Sequence, residues 1–372
     1  MDIKEWEMLE LSRKVIDVKK QELVKFSEEK KEKLHIVYIM VWTHVCGGSK
    51  IILEYANRLT QKKHDVTIVT YDEKPQWFKL EDSVNFVQVP IGEDIKKYIP
   101  KCDVIVATSW KCIYEAVKSN IAPVAFFEQG GSHLFEENNI DHNKLEIIKH
   151  RISLVQFVYT VSSYSKDKMQ EIYNQDAKVI CNSVDSNIFY PKDSYEEKEK
   201  IELAMIGSED FKFKNVGEIL QAYRTLAKKY NNLSLNWITQ TQPTQNPEKA
   251  IVNPPQKEIG EILRKSDIYV CNSEYESFGL PTLEAMTCGA AVITTDTGGM
   301  RDFVKENENG LIVKKHNIED LIQKIEMLIN DKKLRRQLSQ NGIETAKTMN
   351  WEESVNQLIE YYQEIAKYKT KT

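Results

Sequence analysis

Two glutamates, Glu276 and Glu284, stand eight positions apart in the stretch SEYESFGLPTLEAMTCGAAVITTDTGGMRDFV, residues 273–304. Before them runs DIYVCN, which reads as a buried strand, and from Leu280 onward the pattern reads as a helix. The stretch therefore begins at the carboxyl end of a strand and opens a helix. Gly279 permits close approach of the backbone, and the N–H groups at a helix start suit an anionic phosphate. Glu276 precedes that turn, where a carboxylate accepts hydrogen bonds from sugar hydroxyls. Glu284, inside the helix, is placed to accept from a ribose diol. One carboxylate for a sugar, one for a ribose and amides for a diphosphate between them make a nucleotide-sugar site. The plainer reading of the same residues is a loop charge and a solvated helix residue.

The elements that must hold such a site are legible upstream. From Leu34 the chain reads strand (LHIVYIM), glycine turn (VCGGSK), helix (IILEYANRLTQK) and strand (DVTIVTY). Gly47 and Gly48, a double glycine between a first strand and a first helix, point to a phosphate or substrate contact more than to an ordinary tight turn. Further strands are expected at 85–90, 103–109, 122–128, 157–162 and 177–182, with helices between them. Short apolar runs alternating with amphipathic helices indicate a parallel sheet covered on both faces. The charged segment YPKDSYEEKEK, 190–200, reads as a linker, after which the pattern restarts with IELAMIG, NLSLNWIT, DIYVCN and AAVITT. The expected fold is α/β: two Rossmann-like domains facing each other across a cleft, with ligands at the carboxyl ends of the strands. The expected boundaries are an N-terminal helical extension (1–33), a first domain (34–192), a second domain (200–349) and a terminal helix (350–372) crossing back to the first.

The extension has its own character. Apolar residues at Met8, Leu11, Val15 and Val18 form a stripe on one helix face. Such a helix packs on the following domain, pairs with a second copy of the chain, or lies on a membrane surface. Nine basic and nine acidic residues within 1–34 argue against anionic lipid as its main partner. Across the chain, 372 residues with 41% apolar and 29% charged side chains suit a globular protein of two domains. A net charge of -5 gives no footprint for a nucleic-acid partner. The longest apolar stretches, 34–42 and 121–127, are too short to span a bilayer, and the start shows no basic-then-apolar signal pattern. The expected location is the cytoplasm, with peripheral membrane contact through residues 1–33 left open. Six scattered cysteines without a CxxC pair and seven histidines without a ligand cluster lead to no expected metal site.

With these residues in view, the sequence resembles glycosyltransferase family 4, a retaining family of the two-domain GT-B architecture. The resemblance rests on E-S-F-G-L-P-T-L-E-A-M around the paired glutamates and on G-A-A-V-I-T-T-D-T-G-G-M-R-D after them. It extends to C-G-G-S-K at 46–50, V-I-C-N-S-V-D-S-N-I-F-Y-P at 179–191 and W-E-E-S at 351–354. It implies transfer of a sugar from a nucleotide-sugar donor, most often a UDP-sugar, to an acceptor such as a glycan, a lipid-linked sugar or a protein. It further implies donor contacts from Gly47, Gly48, Phe278, Gly279, Leu280 and Glu284, with Glu276 in the catalytic machinery. The family grips the diphosphate with an arginine and a lysine after the first strand of the second domain. In IGSEDFKFKN, 206–215, Lys214 fits the lysine, Ser208 stands in place of the arginine, and Lys212 is a candidate for the missing charge. Many relatives carry a histidine near the reacting sugar carbon; here that position is Gln129, and His133 is placed either to compensate or as a plain loop histidine. The resemblance implies no metal or other cofactor, since no Asp-x-Asp motif is present. Rival readings are a nucleotide-sugar epimerase and a non-catalytic subunit that scaffolds a partner transferase. A Rossmann dehydrogenase is disfavoured because neither glycine turn gives GxGxxG with an acid about twenty residues on.

Overall fold

The computed structural model describes residues 18–192, 199–244 and 250–371. The chain divides into two compact units, one formed by Met1–Cys181 with Glu352–Thr372 and the other by Asn182–Trp351.

The first unit opens on a short strand, β1 (Leu23–Lys25), and continues through β2 (His35–Met40), α1 (Gly47–Gln61), β3 (Asp65–Thr70), β4 (Val84–Gln88) and β5 (Val104–Ala107). Next come α2 (Trp110–Ser119), β6 (Val124–Glu128), α3 (Ser132–Phe135), α4 (His142–Ser153), β7 (Phe157–Thr160), α5 (Ser163–Tyr173) and β8 (Lys178–Val179). Seven of these strands form one sheet in the order β4-β3-β2-β5-β6-β7-β8, and every pairing is parallel. The central strands are buried along their whole length, as apolar runs covered on both faces must be.

The second unit repeats the plan with β9 (Ile201–Ile206), α6 (Val216–Ala227), β10 (Leu233–Thr239), β11 (Ala250–Val252), α7 (Gln256–Lys265) and β12 (Ile268–Cys271). It continues with α8 (Leu280–Cys288), β13 (Ala291–Thr295), β14 (Gly310–Val313), α9 (Ile318–Asn330) and α10 (Lys332–Thr348). Its sheet runs β11-β10-β9-β12-β13-β14, again parallel throughout. In each of these two parallel sheets the first strand, β2 or β9, lies between the sheet's second and fourth strands, which is the doubly wound Rossmann order. The chain reverses direction across the sheet between β2 and β5 in the first unit and between β9 and β12 in the second. Ligands of such sheets bind outside the carboxyl ends of the strands at that reversal.

Helix α11 (Trp351–Ile365) and strand β15 (Tyr368–Thr370) complete the chain, and from Glu352 onward they belong to the first unit. The Tyr362 hydroxyl anchors α11 in that unit's core, 3.0 Å from the Tyr38 hydroxyl and 2.6 Å from that of Tyr159, with all three side chains fully buried.

Three expectations need correction. Residues 18–33 are not a helix: Leu23–Lys25 pairs antiparallel with Tyr368–Thr370. The buried Gln21 side-chain amide donates to the Ala122 carbonyl and accepts from the Val124 backbone amide, which fastens this segment to the start of β6. Met8, Leu11 and Val15 of the apolar stripe lie outside the described residues. The double glycine is not a turn before the helix; Gly47 and Gly48 are its first residues, with Cys46 as N-cap. Finally, residues 182–191 do not close the first domain. Phe189 is fully buried in the second unit, and the Arg264 guanidinium donates to the Ile188 carbonyl at 2.7 Å. A side chain at Gly260 would lie 2.5 Å from that same carbonyl, so glycine lets this segment seat on α7. Among the described residues no helix is long and apolar enough to cross a membrane.

Candidate functional site

In the second unit, three loops leave the carboxyl ends of the adjacent strands β9, β12 and β13, and they are tied to one another. The Glu274 amide donates to the Phe213 carbonyl at 2.8 Å, joining the loop after β12 to the loop after β9. Phe213 and Tyr275 reinforce that joint by stacking, with centroids 4.7 Å apart. Glu276 is held from the third loop, its amide donating to the Thr297 carbonyl at 3.3 Å and its carbonyl accepting from the Gly299 amide at 3.1 Å. Gly299 is there because the backbones nearly touch: an added Cβ would lie 2.4 Å from the Glu276 carbonyl.

On this frame Lys214 and Glu276 meet. The Lys214 ammonium donates to Glu276 Oε1 at 2.6 Å, and the Ser273 hydroxyl donates to the same oxygen at 2.8 Å. Lys214 also lies 5.3 Å from the centroid of the Phe213 ring, a cation–π contact. Burial by itself pushes the Lys214 ammonium down, but the charge and hydrogen bond of Glu276, together with the Cys271 sulfur, outweigh it and hold the lysine above its ordinary value. Helix α8 starts beside this pair on Gly279, whose φ of 95° belongs to the left-handed region. Its second residue, Pro281, has no N–H to leave unpaired, so the amides of Gly279 and Leu280 head the helix. Glu284 is buried one turn into α8, at 6% exposure.

The other donor-site candidates separate. Lys212 is exposed and lines a surface cavity of about 590 Å³ beside α6 together with Phe211, Gln221 and Arg224. It is not gathered with Lys214 and Glu276. Phe278 is 1% exposed and packs on Phe303 at 5.2 Å between centroids, so its ring fills the core and only its backbone is offered to a ligand. Ser208 is buried, and its hydroxyl lies 2.9 Å from Asp210 Oδ2 and 2.8 Å from the Thr241 hydroxyl. The loop is thus closed by a hydroxyl–carboxylate network where an arginine was the family's expectation.

In the first unit, Gly48 and Gln129 come together at the carboxyl ends of β2 and β6. The Gln129 amide donates to the Gly48 carbonyl at 3.4 Å, and a side chain on Gly48 would touch that amide at 3.4 Å. Gly48 therefore serves close approach, not a left-handed turn. His133 is not a loop-tip histidine. It lies in α3, buried, with Nε2 2.9 Å from Glu128 Oε2, while Glu128 Oε1 accepts from the Gly130 amide at 2.6 Å. The Tyr173 hydroxyl donates to the His133 carbonyl at 2.8 Å and fixes the segment from α5. Two residues missed as site members emerge here, Ser273 and Glu128. Their only sequence signal was a polar residue near a strand's carboxyl end.

Residues 187–345 match the family described as glycosyl transferases group 1. The matched stretch takes in most of the second unit, Asn182–Trp351. Across 220 residues the chain is 29% identical to an uncharacterized glycosyltransferase of Methanocaldococcus jannaschii, covering 56% of this chain and 60% of that protein. The chain thus spans less than two thirds of that relative's length. The fold of the whole chain is shared more widely. Sucrose-phosphate synthase from Thermosynechococcus elongatus superposes with a TM-score of 0.74 over 89% of this chain and 98% of its own, at 16% identity. The Anabaena protein HepE, solved with UDP-glucose, does so with a TM-score of 0.70 over 88% of this chain and 98% of its own, at 15% identity. Both share with this chain the two Rossmann-like sheets of the GT-B architecture.

Proposed function

We propose that this chain transfers a sugar from a nucleotide-sugar donor to an acceptor, with retention of anomeric configuration. The observation that carries the reading is the Lys214–Glu276 contact at 2.6 Å, at the sheet reversal between β9 and β12 and beside the start of α8. A lysine, helix-start amides and a carboxylate at that position suit a diphosphate followed by a sugar. Glu284 is assigned to the ribose, the Gly279 and Leu280 amides with Lys214 to the diphosphate, and Glu276 to the sugar hydroxyls. UDP is the favoured donor nucleotide, since the Anabaena neighbour of the same fold holds UDP-glucose.

The chemistry follows from charge. As the bond from the sugar carbon to the phosphate oxygen lengthens, positive charge builds on the ring and negative charge on the diphosphate. Fixed dipoles and the Lys214 ammonium stabilise the leaving group. The acceptor oxygen bonds to the carbon on the face the phosphate leaves, and its proton passes to the departing phosphate oxygen. No protein nucleophile and no metal ion is needed in this scheme. The first unit is assigned to the acceptor and the reacting sugar through Gly48, Gln129 and the Glu128–His133 pair.

The test is incubation with UDP-, GDP-, dTDP- and ADP-sugars and a panel of acceptors, reading released nucleoside diphosphate and the anomer of the product. A product with the donor's anomeric configuration, formed equally in EDTA, supports the reading. Inverted product, an isomerised donor in place of a transferred sugar, or loss of turnover in EDTA each overturns the part it addresses.

A further inference from the structure

Glu276 Oε1 receives two donors at once, the Lys214 ammonium at 2.6 Å and the Ser273 hydroxyl at 2.8 Å. Among the described residues no donor is recorded on Oε2. The two donors differ in what else they can do. Lys214 sits on a long flexible stem, and a lysine ammonium is a mobile point charge that pairs readily with phosphate. Ser273 has no such freedom. It is 1% exposed, its carbonyl accepts from the Thr295 hydroxyl on the next strand, and its hydroxyl also lies 3.4 Å from the Cys271 sulfur. A diphosphate at the start of α8 competes with Glu276 for Lys214, because it offers more negative charge and more acceptor oxygens than one carboxylate. Once Lys214 turns away, a carboxylate held by lysine alone would lose its aim just as the sugar arrives.

We propose that Ser273 is a positioning residue: it keeps the Glu276 carboxylate aimed through turnover, so that Lys214 can pass from Glu276 to the donor's diphosphate. This rests on the donor reading above. In the unliganded chain Lys214 shields Glu276, and in the liganded chain Ser273 holds Oε1 while Oε2 accepts from a sugar hydroxyl. Ser273 touches no substrate; it acts through Glu276. The short side chain matters, because a hydroxyl three residues before the carboxylate reaches Oε1 without entering the space of the sugar.

The experiment is calorimetric titration of the full chain with UDP, GDP, dTDP and ADP, and separately with UDP-glucose and the matching sugars of the other nucleotides. It is run on wild type, Ser273→Ala, Ser273→Thr and Glu276→Gln. The expected result is a split. Ser273→Ala binds the nucleoside diphosphate within about twofold of wild type but the nucleotide-sugar about tenfold or more weaker, the loss expected for one hydrogen bond to a charged group. Ser273→Thr, which keeps the hydroxyl, recovers most of that loss. Glu276→Gln, which removes the competitor for Lys214, binds the nucleoside diphosphate at least as tightly as wild type. Equal weakening of both ligands in Ser273→Ala makes Ser273 a structural support only and overturns the proposal. Unchanged binding of both also overturns it while leaving the donor reading intact. A wild-type chain that binds no nucleoside diphosphate removes the donor reading and this proposal with it.

Discussion

Lys214 and Glu276 are 62 positions apart in the chain, yet their charged groups meet at 2.6 Å. The meeting is a product of strand order. β9 and β12 are neighbours in the sheet although β10 and β11 intervene in sequence, so the loops that leave them share one end of the domain. Hydrogen bonds between those loops, and from the loop after β13, then set the two side chains against each other. The result is a lysine and a carboxylate pre-placed where this type of sheet receives ligands.

Glu276→Ala should cut sugar-transfer turnover by about a hundredfold or more, as removal of a group that acts in the transition state does. Circular dichroism should stay close to wild type, since the Glu276 carboxylate accepts hydrogen bonds from Lys214 and Ser273 at the mouth of the sheet and fills no part of the core. Turnover within a few-fold of wild type would remove Glu276 from the reaction.

Lys214 and Lys212 should behave differently. Lys214→Ala should weaken nucleoside-diphosphate binding about tenfold or more, whereas Lys212→Ala, at an exposed position beside α6, should change it less than about twofold. The Lys214 ammonium is held above the ordinary lysine range, so its charge is complete below that range and is lost only as pH rises past the raised value. Affinity for nucleoside diphosphate should therefore stay flat between about pH 7 and 8.5. A lysine-dependent decline within that window, absent in Lys214→Ala, would contradict the placement.

Gly279→Ala should destabilise the second unit. Its φ of 95° is strained for any residue with a Cβ, and that atom would lie 2.7 Å from Met300 Cε and Cγ. A loss of about 2 kcal/mol in denaturant unfolding is expected. The double variant Gly279→Ala with Met300→Ala relieves the overlap but not the backbone strain, and is not expected to restore wild-type donor binding. Full recovery in the double variant would show that overlap alone dictates the glycine.

How much of this was readable from the sequence varies with the range of the interactions. The strands β2, β9, β12 and β13 announced themselves as short apolar runs, because burial on both faces leaves little choice of residue. Gly279 and Glu276 were visible for the same local reason: a helix start after a buried strand has a recognisable composition. Lys214 and Ser208 were located only through the family resemblance, and spacing alone would not have paired Lys214 with Glu276. Ser273 was invisible as a participant, because a serine after a strand has many uses and its bond to Glu276 depends on the fold of one tight turn. The Glu128–His133 pair was missed since nothing local says that a histidine five positions on folds back to a buried glutamate. Residues 18–33 misled for the opposite reason: their charged, Gly-free composition reads as helix, while pairing with β15, over three hundred residues away, makes Leu23–Lys25 a strand. Long-range pairing overrides local preference.

On the donor reading, the second unit binds a nucleotide-sugar through Lys214, Glu276, Glu284 and the start of α8. The most direct measurement is the melting temperature of the full chain with UDP-, GDP-, dTDP- and ADP-sugars, beside the Glu284→Ala variant. A ligand at a hundredfold excess over its dissociation constant adds about 2.7 kcal/mol of apparent stability. The predicted result is a rise with one nucleotide class, UDP foremost, that Glu284→Ala abolishes. No rise with any of the four, or a rise that Glu284→Ala leaves intact, would contradict it.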